Sequence, residues 1–315
     1  MLEASPWYVR TRLKTRQLLL VVALAEEGNI HRAAAALSIT QPAASKLLRE
    51  LEEMLAAQLF ERMPRGMRPT LYGDALIRHA RAVLGSLDRA QEELGALRAG
   101  RLGQVAVGTI TSPGVRLLPS AVAAVKRMHA DIRITVEIDT SNVLLERLAQ
   151  GKLDMVVGRL FPEHDKLRLR YEPLASEPVH AVVRRGHPLA TGASLRLADV
   201  QSGAWIVPPA GSVLRHRFEL MFQRASLAPP SNIVETAALL FITRALEQSD
   251  MIAVLAKDVA DYYAGHGMVD ILPLAMDCKM DDFGLITASE RTLSPAAMLM
   301  VEAVRRAGRD AYEYA

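Results

Sequence analysis

Residues 29–49, NIHRAAAALSITQPAASKLLR, constrain this 315-residue chain more than any other stretch. Gly28-Asn29 interrupts an apolar helical pattern over residues 13–26. The asparagine side chain can start a new helix by accepting a backbone N–H. That helix is expected over residues 30–37, and its consecutive alanines, Ala33 to Ala36, permit very close packing against a neighbour. Ser38-Ile39-Thr40 makes a turn. Thr40 stands at an N-cap position, and Pro42 falls in the first turn of the next helix, where its missing N–H costs nothing. Two short helices on a tight turn are either a DNA-reading unit or a plain helical hairpin.

The third helix separates these readings by its faces. At about 100° per residue, Ala44, Leu47, Leu48, Leu51 and Leu55 share a narrow apolar arc. Gln41, Pro42, Ser45, Lys46 and Arg49 fall on the other side. Amide, hydroxyl and cationic groups therefore cluster near its N-terminal half, as insertion into a major groove requires. An ordinary amphipathic helix with a polar outer face would show the same wheel. The following segment, residues 60–70, reads as a hairpin-like turn with Arg62, Arg65 and Arg68 and no acid between the first and last of them. Such a basic wing can reach phosphates or a minor groove. Net charge is only +3, but the whole positive excess lies in the first third of the chain.

These residues resemble the LysR-type transcriptional regulators. The likeness rests on Arg32-Ala33-Ala34, Leu37, Thr40-Gln41-Pro42-Ala43 with Ser45, Leu51-Glu52, Leu59-Phe60-Glu61-Arg62, and Thr70 with Gly73. It implies a winged helix-turn-helix over residues 1–72, with Thr40, Gln41, Pro42, Ala43, Ser45, Lys46 and Arg49 on DNA and Arg62, Arg65 and Arg68 in the wing. The sequence departs from the family at Ala44, where a larger aliphatic is usual, at Ala35, and at Ala56-Ala57-Gln58, which replaces a turn containing glycine.

Leu76, Ala80, Val83, Leu87, Ala90, Leu94 and Leu97 follow a 4, 3, 4, 3 spacing, the a/d seam of a coiled coil. A helix and hinge over residues 73–103 is expected to pair with a second copy through residues 73–100; the other reading is a helix packed on its own domain. Two winged units held at fixed separation would read two half-sites of double-stranded DNA, an interrupted inverted repeat in a promoter. The family resemblance implies the same homodimer, extended to a dimer of dimers, hence a homotetramer.

From Gln104 onward, short β-branched runs alternate with helices, which argues an α/β region of parallel sheets covered by helices. Strands are expected near 105–108, 132–138, 155–158, 205–207, 233–235, 252–254 and 283–288, and helices over 115–128, 143–150, 213–226, 237–248 and 295–309. Two lobes of this kind leave a cleft at the carboxyl ends of the strands. Three strand-to-helix junctions are polar and small: Thr109 to Ser112, Thr140 to Asn142, and Pro208 to Ser212. Each is an N-cap to its own helix and a candidate ligand contact. The candidate effector residues are Thr109, Thr111, Ser112, Ser141, Asn142, Pro209, Gly211 and Ser212, with Arg159 as a charge and Phe161 as an apolar wall. Arg215 is a weaker candidate.

This region resembles the effector domain of LysR-type regulators, within the galactose-binding-protein-regulator and protocatechuate-regulator branch. The likeness rests on Val156-Val157-Gly158-Arg159, Gly186-His187-Pro188-Leu189, Trp205 to Gly211, Val234-Glu235-Thr236, Ser249-Asp250-Met251, Leu272-Pro273-Leu274 and Leu293 to Ala297. It implies a type 2 periplasmic-binding-protein fold over 104–315, with lobe I near 104–175 and 276–315 and lobe II near 176–275, binding a sugar or an aromatic or organic acid.

The chain lacks the phosphate-loop, dinucleotide, nucleophile-elbow and zinc-protease motifs, so no catalytic residue, metal or cofactor is expected. Cys278 is the only cysteine, which excludes an internal disulfide and fits a cytoplasmic protein. The longest apolar run, residues 18–25, is far short of the roughly 18 residues a membrane helix needs. The competing functional reading is a cytosolic small-molecule binding protein whose helical N-terminus is structural.

Overall fold

A computed structural model describes residues 9, 11–64, 66–98, 103–160, 168–191, 194–278 and 280–312; the side chains of residues 92, 93, 96 and 97 lie outside that description. The chain forms two compact units, residues 1–103 with 146–153, and residues 104–145 with 154–315.

In the first unit, α1 (Thr15–Glu27) ends where Gly28 turns left-handed, at φ 61°, and returns its N–H to the Leu24 carbonyl. Asn29 then caps α2 (Ile30–Ala36), its Oδ1 accepting the His31 N–H at 2.8 Å. The next helix, α3, spans Gln41–Leu55 with Pro42 in its first turn. Thr40 occupies the N-cap position but its hydroxyl makes no cap bond. Only half of the alanine run packs: Ala33 and Ala34 are buried, while Ala35 and Ala36 are exposed, because a seven-residue helix turns its second pair away from α1 and α3. Ala44, Leu48 and Leu51 close the core beneath α3, with Leu20, Leu24 and Phe60. Ala44 is fully buried, so the small residue at this departure from the family sits inside the core.

The wing is a two-stranded hairpin, β1 (Phe60–Met63) with β2 (Gly66–Pro69), pairing Phe60 with Pro69 and Arg62 with Met67. Its base is fixed by side chains the motif supplies. Glu52 accepts the backbone N–H groups of Leu59 and Phe60, at 2.8 and 3.2 Å. Thr70 donates its hydroxyl to the Gln58 carbonyl at 2.7 Å and accepts the Gly73 N–H at 3.1 Å. A long helix, α4 (Leu71–Arg98), follows. Its heptad seam divides in two. Ala80, with neighbouring Ile77, is buried in this unit, whereas Val83, Leu87 and Leu94 are about half exposed at 47%, 50% and 57%. The first turns of α4 therefore pack on their own domain, and the exposed seam begins at Val83. The Leu97 side chain lies outside the described residues.

The second unit carries two five-stranded sheets. The first is ordered β4-β3-β5-β12-β6, from β3 (Gln104–Thr109), β4 (Arg133–Ile138), β5 (Met155–Gly158), β6 (Leu169–Ala175) and β12 (Phe283–Ala288). The second is ordered β11-β7-β10-β8-β9, from β7 (Val179–Arg184), β8 (Trp205–Val207), β9 (Ile233–Glu235), β10 (Ile252–Ala256) and β11 (Val269–Ile271). The sheets are mixed rather than purely parallel. β12 runs antiparallel to β5 and β6, and β7 antiparallel to β10 and β11. The physical reason is the chain path: it passes from one sheet to the other after β6 and returns before β12, and the first strand after each passage, β7 and then β12, runs against the βαβ direction. The expected helix over 115–128 is two helices, α5 (Thr111–Val115) and α6 (Leu117–Met128), parted at Arg116. The remaining helices are α7 (Ser141–Ala149), α8 (Leu197–Val200), α9 (Val213–Arg224), α10 (Leu239–Glu247), α11 (Lys257–Gly265) and α12 (Pro295–Tyr312). Strands β6 and β11 and helix α11 were not legible from the sequence pattern. In the second lobe, Trp205 packs its ring on Phe218 and Phe222 and donates its indole N–H to the Val200 carbonyl at 3.0 Å.

Candidate nucleic-acid interface and effector cleft

On α3 the residues expected on DNA stand on one face. Thr40, Pro42, Ala43, Lys46 and Arg49 are exposed, and Gln41 and Ser45 are partly so. Gln41 donates its amide to Ser45 Oγ at 2.8 Å, which orders two groups suited to base edges. Lys46 and Arg49 reach Glu50 and Glu53 only at 3.9 and 4.0 Å, in exposed i,i+4 pairs. Pairs of that kind are worth about 0.3–0.5 kcal/mol, so a phosphate displaces them readily. In the wing, Arg62 and Arg68 are exposed and form no ion pair with another described residue. Arg65 lies outside the described residues.

The cleft residues behave differently. β3, β4 and β5 are parallel neighbours, so the junction after β3, the junction after β4 and Arg159 after β5 stand along one edge. Across from them, β8, β9 and β10 end at Pro208, Thr236 and Lys257. The two edges face each other, because Ser112 on the first lobe donates its hydroxyl to Asp258 on the second, at 3.2 Å.

Much of the polar chemistry at these edges is already engaged internally. Thr109 is fully buried and donates to the Ile110 carbonyl at 3.0 Å. Ser141 is buried and accepts the Arg159 N–H at 2.9 Å. Ser212 caps α9 by accepting the Arg215 N–H at 3.2 Å. Thr111, Asn142, Pro209 and Gly211 are exposed. Phe161 lies outside the described residues.

Arg159 differs most from its expected role. It is 7% exposed, its guanidinium donates to the Glu177 carboxylate, and its Nε–H donates to the Asp281 carbonyl at 3.0 Å. Those partners stand on the two passages between the lobes, so Arg159 ties the crossovers to the first lobe instead of offering a free charge to a ligand. Burial pushes its pKa down, to about 10, which leaves it charged at neutral pH. Arg215 is likewise engaged, with Glu219 at 2.5 Å and Glu235 at 2.9 Å.

Sequence reasoning missed Asp258, Arg116 and Tyr312. The Asp258 carboxylate accepts from Ser112, from Arg116 Nη1 at 3.2 Å and from the Tyr312 hydroxyl at 2.6 Å. Arg116 stacks on the Tyr312 ring, 5.1 Å from its centre. Burial and the Asp258 bond hold the Tyr312 hydroxyl well above the ordinary tyrosine range. Nothing local in the sequence marks these partners; they are 142 and 54 residues away from Asp258. A concavity of about 500 Å³ is lined by Arg217, Leu220, Arg224, Asp277, Cys278 and Met280 to Asp282, and by none of the junction residues. Burial raises the Cys278 thiol to about 11, so it stays protonated and unreactive.

An exposed basic helix face beside a basic wing, joined to a two-lobed α/β module, defines a DNA-binding regulator with a ligand-sensing domain. Comparison with known proteins gives the family. Residues 15–74 match the lysR family of bacterial regulatory helix-turn-helix proteins, and residues 98–309 match the LysR substrate binding domain. The chain is 41% identical to the HTH-type transcriptional regulator GbpR of Azospirillum brasilense, over 96% of its own length and 88% of the relative's. It is 32% identical to PcaQ of Agrobacterium fabrum, over 97% of its own length and 98% of the relative's. The crystal structure of CbnR, a LysR family transcriptional regulator, shares the fold at a TM-score of 0.64 and 23% identity, covering 94% of this chain and 99% of that one. The chain belongs to the LysR family and is a DNA-binding transcriptional regulator, not an enzyme. Its relatives agree with the branch that the sequence resembles.

Proposed function

We propose that this regulator works in the cytoplasm and reads an interrupted inverted repeat, with α3 of each copy in a major groove. Gln41, Ser45 and Arg49 meet base edges, Thr40, Pro42, Ala43 and Lys46 line the contact, and Arg62, Arg65 and Arg68 hold phosphates. The carrying observation is the division of α3: its inner residues Ala44, Leu48 and Leu51 are buried while the opposite polar face is exposed, beside a wing whose Arg62 and Arg68 are exposed and form no ion pair with another described residue. The related CbnR has been crystallised with its target DNA, which supports the same use of this unit. Copies pair through the exposed seam from Val83 to Leu94 and assemble further as a dimer of dimers.

The effector sits between the facing strand ends. Thr111, Asn142, Pro209 and Gly211 are its contacts, because they alone among the described candidates are exposed there. Thr109, Ser112, Ser141, Arg159 and Ser212 shape and stiffen the cleft. Ligand-induced change in lobe angle alters the bend imposed on DNA. Gel shifts on the DNA upstream of its own and neighbouring genes test the reading. Binding should weaken steeply with salt, and its absence would sink the proposal. A thermal-shift screen of sugars and aromatic acids identifies the ligand, since a molecule bound only by the native state raises the melting point. Thr111→Ala should remove that shift and leave DNA binding intact.

A further inference from the structure

Gly66 at the tip of the wing and Gly28 at the end of α1 meet backbone to backbone. The Met67 N–H donates to the Gly28 carbonyl at 2.7 Å. Gly66 has φ 129°, and a Cβ there would lie well inside van der Waals distance of that same carbonyl oxygen. Gly28 is also left-handed, at φ 61°, but a Cβ on it would meet nothing closer than the Met67 carbonyl, at 4.0 Å. The residue after Gly28 is Asn29, which caps α2. One two-residue turn thus starts the helix pair that presents α3 and also anchors the wing. The anchor matters because a lone two-stranded hairpin is marginal in water. Thr70 and Glu52 fix only its base.

We infer that Gly66 is a positioning residue for DNA binding: by admitting the Gly28 carbonyl it seats the wing so that Arg62 and Arg68 reach phosphates while α3 reads bases. The inference rests on the DNA-reading role of this unit proposed above. A displaced wing loses phosphate contacts, and each lost contact lowers the slope of log affinity against log salt by about 0.9. Partial unfolding lowers the amount of active protein and leaves that slope unchanged, so the slope separates positioning from mere stability.

The experiment uses the full chain and a fluorescent random-sequence duplex, titrated from about 50 to 200 mM salt. Arg62→Ala with Arg68→Ala should lower the slope by about 0.9 per arginine in each bound copy. Gly66→Ala should lower it by a similar amount, and adding it to the arginine double variant should lower it no further. Gly186→Ala, at a left-handed glycine of the two-lobed unit with open space around it, should keep the parent slope. A Gly66→Ala protein with the parent slope overturns the inference. Should that variant fail to fold, hydrogen exchange of the parent decides. Residues 60–70 should exchange as slowly as the end of α1, and free exchange of the wing beside protected helices overturns the inference equally. A parent protein with no salt-dependent binding would refute the DNA-reading role itself, a distinct result.

Discussion

In the helix-turn-helix unit the described cations that are candidates for DNA contact are left available, whereas in the two-lobed unit the candidate ligand-binding cations are consumed. Arg49 is 70% exposed and only 4.0 Å from a carboxylate that it can abandon. Arg159 is 7% exposed and bound to Glu177 and the Asp281 backbone. The difference follows from what each must meet. A phosphate backbone brings its own charge and releases counterions, so cations awaiting it should be solvated and cheap to redirect. A small molecule closing a hinge needs preorganised lobes, and buried charges must be paired before any ligand arrives.

Breaking the paired side should cost most. Glu177→Leu leaves the Arg159 charge buried without its anion and is expected to destabilise the protein by about 3–5 kcal/mol in denaturant unfolding. A loss below about 1 kcal/mol would mean that the pair is solvated, and the contrast with Arg49 would collapse.

The next effect belongs to Asp258. Asp258→Asn weakens charged hydrogen bonds from Ser112, Arg116 and Tyr312 and should cost about 1.5–3 kcal/mol. It also has a pH signature. Tyr312 is raised in the folded protein, so its neutral form stabilises the fold below the ordinary tyrosine pKa near 10, and that contribution is lost as pH rises further. The parent should therefore lose stability above about pH 10, and Asp258→Asn less steeply. Because burial is the larger cause, ultraviolet titration should show Tyr312 moving only part of the way back towards 10 in the variant.

On the exposed side, Arg49→Ala should reduce discrimination between specific and random DNA by about 1–3 kcal/mol if it reads a base. Stability should change by no more than about 0.5 kcal/mol, since its Glu53 pair is exposed. Equal loss on both DNAs would make Arg49 a phosphate contact instead. The smallest effect should be a gain. Ala56 ends α3 in the left-handed region at φ 49°, where a Cβ is strained. Ala56→Gly should raise the melting point, through a stabilisation of up to about 1 kcal/mol.

The helix-turn-helix was legible because its determinants are local. Asn29 caps the helix beside it, Pro42 sits in the first turn of its own helix, and the wheel of α3 sorts core from face within four turns. Even here the pattern misjudged Ala35 and Ala36, since a small residue reads as packing whether or not a neighbour is present. The heptad spacing draws one stripe along α4, yet Ala80 faces its own domain and Val83 faces outward. Periodicity gives a stripe and does not name its partner.

Sequence alone determined the helix-turn-helix, the exposed polar face of α3, the strand–helix alternation after Gln104 and the polar character of the strand ends, each of which depends on residues close in the chain. Tertiary structure decided the direction of β7 and β12, the engagement of Arg159 by the crossovers, the meeting of Asp258 with Ser112, Arg116 and Tyr312, and the contact of Gly66 with Gly28. Those depend on groups distant in sequence, whose burial and pairing exist only once the chain has brought them together.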